Sequence, residues 1–231
     1  MAEETRPDLV RRFFSGTGSS YDRTIGLATL GFDRHWKKKI LELISVNPVR
    51  IMDQACGTGI LTFMIARRFP ASHVVGVDLM EEYLILAREK APKLNLKNVE
   101  FIQGRAEEVI LDEGFDCITS SFLAKYVDLE ALIRNNRKML RSNGLLILHD
   151  LTYPSRRLAA RLWELYFKLL QGIGNWKYPE WKAIVEELPQ LIRGTNWVPE
   201  LIRILGENGF ANVRLHPLTL GFSTIVTARK G

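Results

Sequence analysis

The chain has 231 residues, 46% of them hydrophobic, enough to bury one sizeable core as a single domain with a small appended cap. Its net charge of +6 would favour anionic partners if the basic residues gathered on one face, but Lys37-Lys38-Lys39, Arg67-Arg68 and Arg156-Arg157 are separated by acidic stretches, and no specific nucleic-acid partner is indicated. Cys56 and Cys117 lie in core-like segments away from disulfide or zinc spacing, no secretory signal opens the chain, and no window approaches the roughly 18 apolar residues of a spanning helix, so a cytoplasmic protein without a metal is expected.

In chain order, residues 1–48 read as an N-terminal helical cap, with a helix from Asp33 to Ile44 and a flexible run at Ser15 to Ser20. From residue 49 to the end extends the main domain. Strands are predicted near 49–54, 73–78, 98–103, 115–121 and 144–151, with helices near 59–69, 80–92 and 127–141, the alternation of a parallel sheet with crossover helices. A helical insertion near 155–195 follows, carrying Trp163, Tyr166, Phe167 and Leu170 at helical spacing and then Trp176, Tyr178 and Trp181; ordinary core packing of an amphipathic helix accounts for the first four, and a substrate lid formed by the aromatic residues is the functional alternative. A helix near 197–208 ends at Gly209, and β runs near 211–217 and 221–228 are too closely joined for a crossover and should form an antiparallel hairpin. The fold class expected is therefore α/β and Rossmann-like, a seven-stranded mostly parallel sheet with a C-terminal antiparallel hairpin and helices on both faces.

Ligands in such sheets collect at the carboxyl ends of the strands. There the turn Asp53-Gln54-Ala55-Cys56-Gly57-Thr58-Gly59 leaves the first strand and opens a helix. Gly57 and Gly59 let the backbone approach a ligand, although glycines also serve turns that bind nothing. Thr62 stands where a dinucleotide fingerprint needs its third glycine, which weakens a nicotinamide oxidoreductase. Asp78 ends the next strand, where a carboxylate either accepts ribose hydroxyls or caps a helix, and Leu79 and Met80 would flank an adenine.

The order Asp53 then Gly57-Thr58-Gly59 resembles the first motif of class I S-adenosylmethionine-dependent methyltransferases. Over nearly its whole length the chain is similar to the ubiquinone/menaquinone C-methyltransferase family, on Tyr21-Asp22, Trp36-Lys37, the turn Asp53 to Gly59, Phe115 to Phe122, and Gly209 to Arg214. The resemblance implies S-adenosyl-L-methionine as cofactor, held by Tyr21, Asp53, Ala55, Cys56, Gly57, Gly59, Asp78, Leu79, Met80, Arg105, Ala106, Ser120 and Ser121. Arg105 replaces the family's adenine-binding Asp, leaving that contact to backbone or Glu107. The family's Gly-Leu-Arg-Asn is here Leu123-Ala124-Lys125-Tyr126, and His149 precedes Asp150 where the family is aliphatic, so the quinone itself is open as acceptor.

Because the donor carries its own electrophilic methyl group, catalysis by positioning suffices, with a base needed only to ionise a phenol-type acceptor. Candidates for catalytic work are His149, Asp150, Tyr21 and Lys125; strand alternation sends His149 and Asp150 to opposite faces, so at most one faces the site, and Lys125 is expected to be solvated. The expected partners are a hydrophobic small-molecule substrate, a peripheral membrane contact and a second copy in a homodimer. An N- or O-methyltransferase of another lipid or metabolite, and a non-catalytic S-adenosylmethionine-binding protein, are the alternatives.

Overall fold

The structure, a computed structural model, describes the backbone of residues 5–44, 47–111, 114–177 and 179–231, and the side chains of these except 173–177 and 179. Three helices come first: α1 (Arg6–Phe14), α2 (Gly18–Ala28) and α3 (Phe32–Leu43). Then β1 (Arg50–Gln54), α4 (Ile60–Arg68), β2 (His73–Asp78), α5 (Glu81–Lys93), β3 (Val99–Gln103), β4 (Phe115–Ser121), α6 (Leu129–Met139) and β5 (Leu140–Leu151) alternate. Two helices, α7 (Arg157–Lys177) and α8 (Lys182–Gly194), lead to α9 (Trp197–Glu207), β6 (Phe210–Leu218) and β7 (Ser223–Lys230).

The seven strands lie in the order β3-β2-β1-β4-β5-β7-β6. β1 to β5 run parallel, and β7 inserts antiparallel between β5 and β6. This is the class I methyltransferase fold, and its strand order reverses between β1 and β4, where a crevice opens at the carboxyl ends. The central strands are apolar on both faces, as a parallel sheet covered by helices requires. One face sets Met52, Ile118, Leu146 and Leu148 against Leu132 and Ile133 of α6 and Leu201 and Ile204 of α9. The other sets Ile51, Cys117 and Ile147 against Ile40 of α3 and Leu61 and Ile65 of α4.

Two expectations on local structure are corrected. The run Ser15 to Ser20 is not a flexible linker: α2 begins at Gly18, and Gly16 N–H meets the Glu82 carboxylate at 3.1 Å while Thr17 Oγ1 lies 2.6 Å from the Tyr83 hydroxyl, so α5 holds the segment. β5 begins at Leu140, not near 144, because Leu140 already pairs with Phe115 before a shift of register ahead of Cys117. Among the described residues no helix is long and apolar enough to cross a membrane.

Candidate active site

The crevice at the strand reversal holds a cavity. Of the residues expected at a cofactor, Tyr21, Ala55, Gly57, Asp78, Leu79, Met80, Arg105, Ala106 and Ser121 line it. Gly57, at φ +56°, faces it with nothing nearer to its missing Cβ than the Tyr83 ring at 3.7 Å, so the backbone is open to a ligand there. Asp78 is buried and accepts the Gly57 amide at 2.7 Å on one oxygen and the Met80 amide at 2.8 Å on the other. Each oxygen keeps a lone pair, the arrangement that accepts two vicinal hydroxyls. Burial raises the Asp78 carboxyl to about 6 against the pull of the Met80, Gly57 and Leu79 amides.

Asp53, Cys56, Gly59 and Ser120 shape the site from behind its wall. Thr62 Oγ1 donates to Asp53 at 2.6 Å, so the residue in place of a third glycine anchors this buried carboxyl, which burial raises to about 7. The Cys56 sulfur faces Gly76, where a Cβ would fall 2.9 Å from it, and Gly59 leaves the turn at φ +88°. Ser120 shares its face of β4 with Ile118, toward α6, and among the described residues its buried hydroxyl has no partner. Arg105 turns to Glu107, at 2.6 Å, and to Glu108, and so holds Glu107 buried on the cavity wall.

The N-terminal helices complete this cavity, a contribution for which the sequence signal was slight. Val10 and Phe14 of α1 line it with Tyr83 and Tyr126. The pair Tyr21-Asp22 divides its tasks. Tyr21 lines the cavity, its ring 5.2 Å from Tyr83 and 5.8 Å from Trp181, while Asp22 accepts from Thr58 in the glycine turn and from Lys90 at 2.5 Å. Burial holds the Tyr21 phenol well above its ordinary value, so it is protonated at neutral pH.

A second cavity lies beneath α7 and α8 and is walled almost wholly by apolar side chains. Trp163, Tyr166, Phe167 and Trp181 of the expected aromatic lid line it, joined by Trp36 and Phe222. Tyr178 and the side chain of Trp176 lie outside the described residues. Aromatic rings stand between the two cavities: Tyr21 packs on Trp181, and Phe122 of the first cavity meets Trp36 of the second edge-on at 6.3 Å. Phe122 adopts φ +68°, a strained conformation for a bulky residue, fixed by its amide on the His149 carbonyl at 2.8 Å and by the Lys37 and Lys125 ammoniums at 5.0 and 5.6 Å from its ring centre.

The remaining catalytic candidates are buried behind these walls. His149 contacts Ser121 Oγ through Nδ1 at 2.8 Å and Ser223 Oγ through Nε2 at 2.5 Å; burial, then Lys37 and Lys125, hold its pKa well below the ordinary value, and the ring is neutral. Asp150 points to the opposite face, where Lys125 Nζ lies 2.5 Å from it; both are buried, so Lys125 is not the solvated side chain expected from its type. Neither His149, Asp150 nor Lys125 lines either of these two cavities, and His149 touches the first one's lining at Ser121.

The sequence profile of the ubiE/COQ5 methyltransferase family matches residues 1–230. The demethylmenaquinone methyltransferase of Bacteroides fragilis is 25% identical over 229 residues, covering 97% of this chain and 94% of that protein. Its counterpart in Staphylococcus aureus is 27% identical over 224 residues, covering 94% and 91%. Among solved structures, geranyl diphosphate C-methyltransferase from Streptomyces coelicolor, in complex with geranyl diphosphate and S-adenosyl-L-homocysteine, superimposes with a TM-score of 0.65 at 14% identity, over 86% of this chain and 79% of that one, a likeness of fold.

Proposed function

Since the chain belongs to the ubiE/COQ5 methyltransferase family and is thereby an S-adenosylmethionine-dependent methyltransferase, we propose that it methylates a hydrophobic, ring-bearing small molecule of the quinone-precursor class. The observation that carries this reading is the apolar cavity set behind an aromatic partition from the cofactor cavity. A ring at the partition would meet Tyr21 and Phe122, and an apolar chain attached to it would fill the space under α7 and α8.

S-adenosylmethionine supplies an activated methyl group when bound, and the residues described here have to place it, orient the acceptor and exclude water. Asp78 would hold the ribose hydroxyls, Leu79 and Met80 the adenine, and the Gly57 turn the methionine part. Glu107, tied down by Arg105, is available to the adenine amino group. At the partition the polar groups are neutral hydroxyls: Tyr21 is held protonated, and Ser121 is oriented by a neutral His149 whose other nitrogen rests on Ser223. His149 is a positioning residue in this arrangement. With no ionised base at the partition, a quinol acceptor would have to bind as its anion, the phenolic proton already given to solvent, and the ring carbon that takes the methyl group would give its proton to solvent as the ring regains aromaticity. Such an acceptor suits the demethylmenaquinone after which the two bacterial relatives are named.

The test is transfer of labelled methyl from S-adenosylmethionine to reduced, short-chain prenylated naphthoquinone, with the product identified by mass spectrometry. Ring methylation is the expected result. Label entering only polar acceptors, with none in the quinol or in an apolar lipid extract, would overturn the acceptor class.

A further inference from the structure

The second cavity reaches the surface beside an apolar face that none of the described residues covers. On α7, Leu158, Leu162, Leu165 and Leu169 are 71%, 46%, 56% and 58% exposed. Their spacing of four, three and four residues brings them onto one narrow stripe at about 100° per residue, while Trp163 and Phe167 of the same helix face the cavity. Leu158 and Leu162 share a groove with Leu220, also exposed, whose neighbour Thr219 lines the cavity. Leu30 and Phe32, in the turn from α2 to α3, both line the cavity and are exposed, which makes them its rim; the Tyr166 hydroxyl on the Ala28 carbonyl ties that turn to α7.

The fully exposed charges beside the stripe are basic, and the one acid on that edge, Glu164, is half-buried and paired. Arg157, Arg161 and Lys168 follow one edge of it, with Arg156 in the groove at its start, and all four are exposed. Composition alone suggested that the basic residues do not gather, but helical spacing collects Arg157, Arg161 and Lys168 along one edge. Glu164, the acid of this helix, turns away to Arg193 at 3.2 Å and to Tyr153 at 2.9 Å. A second copy of the chain suits this face poorly. An antiparallel pair of such helices brings like edges together, cation against cation, and juxtaposed like charges are costly.

We propose that the leucine face of α7, with Leu220 and the rim at Leu30 and Phe32, docks on an anionic lipid bilayer, so that a lipophilic acceptor enters the second cavity without crossing water. A helix with a leucine face and flanking cations lies in the plane of a membrane interface, its apolar side among the acyl chains and its cations at the phosphates. Entry by this route rests on the acceptor reading above; docking does not.

Flotation of the full chain with vesicles tests it, using phosphatidylcholine alone and phosphatidylcholine with phosphatidylglycerol. Binding is expected to the second and to weaken with salt, by about fivefold for each arginine removed in Arg157→Gln and Arg161→Gln. Leu158→Ser with Leu165→Ser should abolish it while calorimetric binding of S-adenosylmethionine, the check on folding, is unchanged. Absence of binding to both vesicles, or binding that the four substitutions leave intact, overturns the proposal. So does a dimer in sedimentation that the serine variants dissociate, with no vesicle binding, which would make a second copy the occupant. Methyl transfer to a short-chain acceptor without vesicles is measured alongside: transfer without docking refutes the face alone, and docking without transfer supports the face and counts against the acceptor class.

Discussion

Asp78→Asn probes the polar centre of the cofactor site. The Gly57 and Met80 amides, at 2.7 and 2.8 Å, occupy one lone pair on each carboxylate oxygen and leave one on each for a ribose hydroxyl. A hydrogen bond to a charged acceptor contributes about 1.5–3 kcal/mol. Asn keeps one acceptor and presents a donor to the other hydroxyl, so one such bond is lost and binding weakens roughly 10- to 150-fold. Titration adds a second signature. The carboxyl lies at about 6 in the free protein, and hydroxyl donors favour its ionised form, drawing it down in the complex. Affinity should be level above about pH 7 and fall by up to tenfold per unit below about pH 6. Asp53, at about 7, titrates nearby. Asp53→Asn should therefore keep the step near pH 6 that Asp78→Asn removes. Isothermal titration calorimetry with S-adenosylhomocysteine across this range reads both effects. A flat wild-type profile, or full affinity with the step intact in Asp78→Asn, refutes the ribose assignment.

The same two carboxyls govern stability without ligand. Both are raised above 3.8, to about 7 for Asp53 and about 6 for Asp78, so the stability their neutral forms contribute is complete below that value and lost as pH rises through about 6 and 7. Urea midpoints should fall over this window, and Asp53→Asn should remove a loss on the order of 3 kcal/mol; an unchanged slope would contradict it. Lys125→Met alone strands a buried carboxylate and should cost about 3–5 kcal/mol in urea unfolding, whereas Lys125→Met with Asp150→Leu should recover most of it, because the pair's removal also removes its desolvation. Leu170→Trp, which fills part of the second cavity, should raise KM for a prenylated acceptor by roughly tenfold or more while S-adenosylmethionine affinity stays at the wild-type value. Equal losses of both would show that the two cavities do not divide the ligands.

The settings of His149 and Lys125 show what side-chain type alone leaves open. A histidine near a strand end reads either as an acid–base group or as a satisfied packing position, and a lysine there as solvated; in the fold both are buried and matched to fixed partners, Ser121 and Ser223 for one and Asp150 for the other. Alternation did predict that His149 and Asp150 face opposite ways, since it needs only the strand. Phe122, which lines the first cavity, has a left-handed backbone that no pattern announces.

What the sequence determined by itself is what neighbours along the chain determine. The strands β1 to β5, the glycine turn, Asp78 at the end of β2 and the closing hairpin all follow from periodicity, turn chemistry and the length of connections, and the family resemblance rests on the same local motifs. The tertiary structure alone decided the walls. Trp36, Trp163 and Phe222 come from three distant segments to enclose one cavity, and Val10 and Phe14 of α1 close the other. Such surfaces arise from packing between elements whose mutual placement no local spacing encodes, and only the packed helix shows Leu158, Leu162, Leu165 and Leu169 of α7 facing solvent while Trp163 and Phe167 face the cavity.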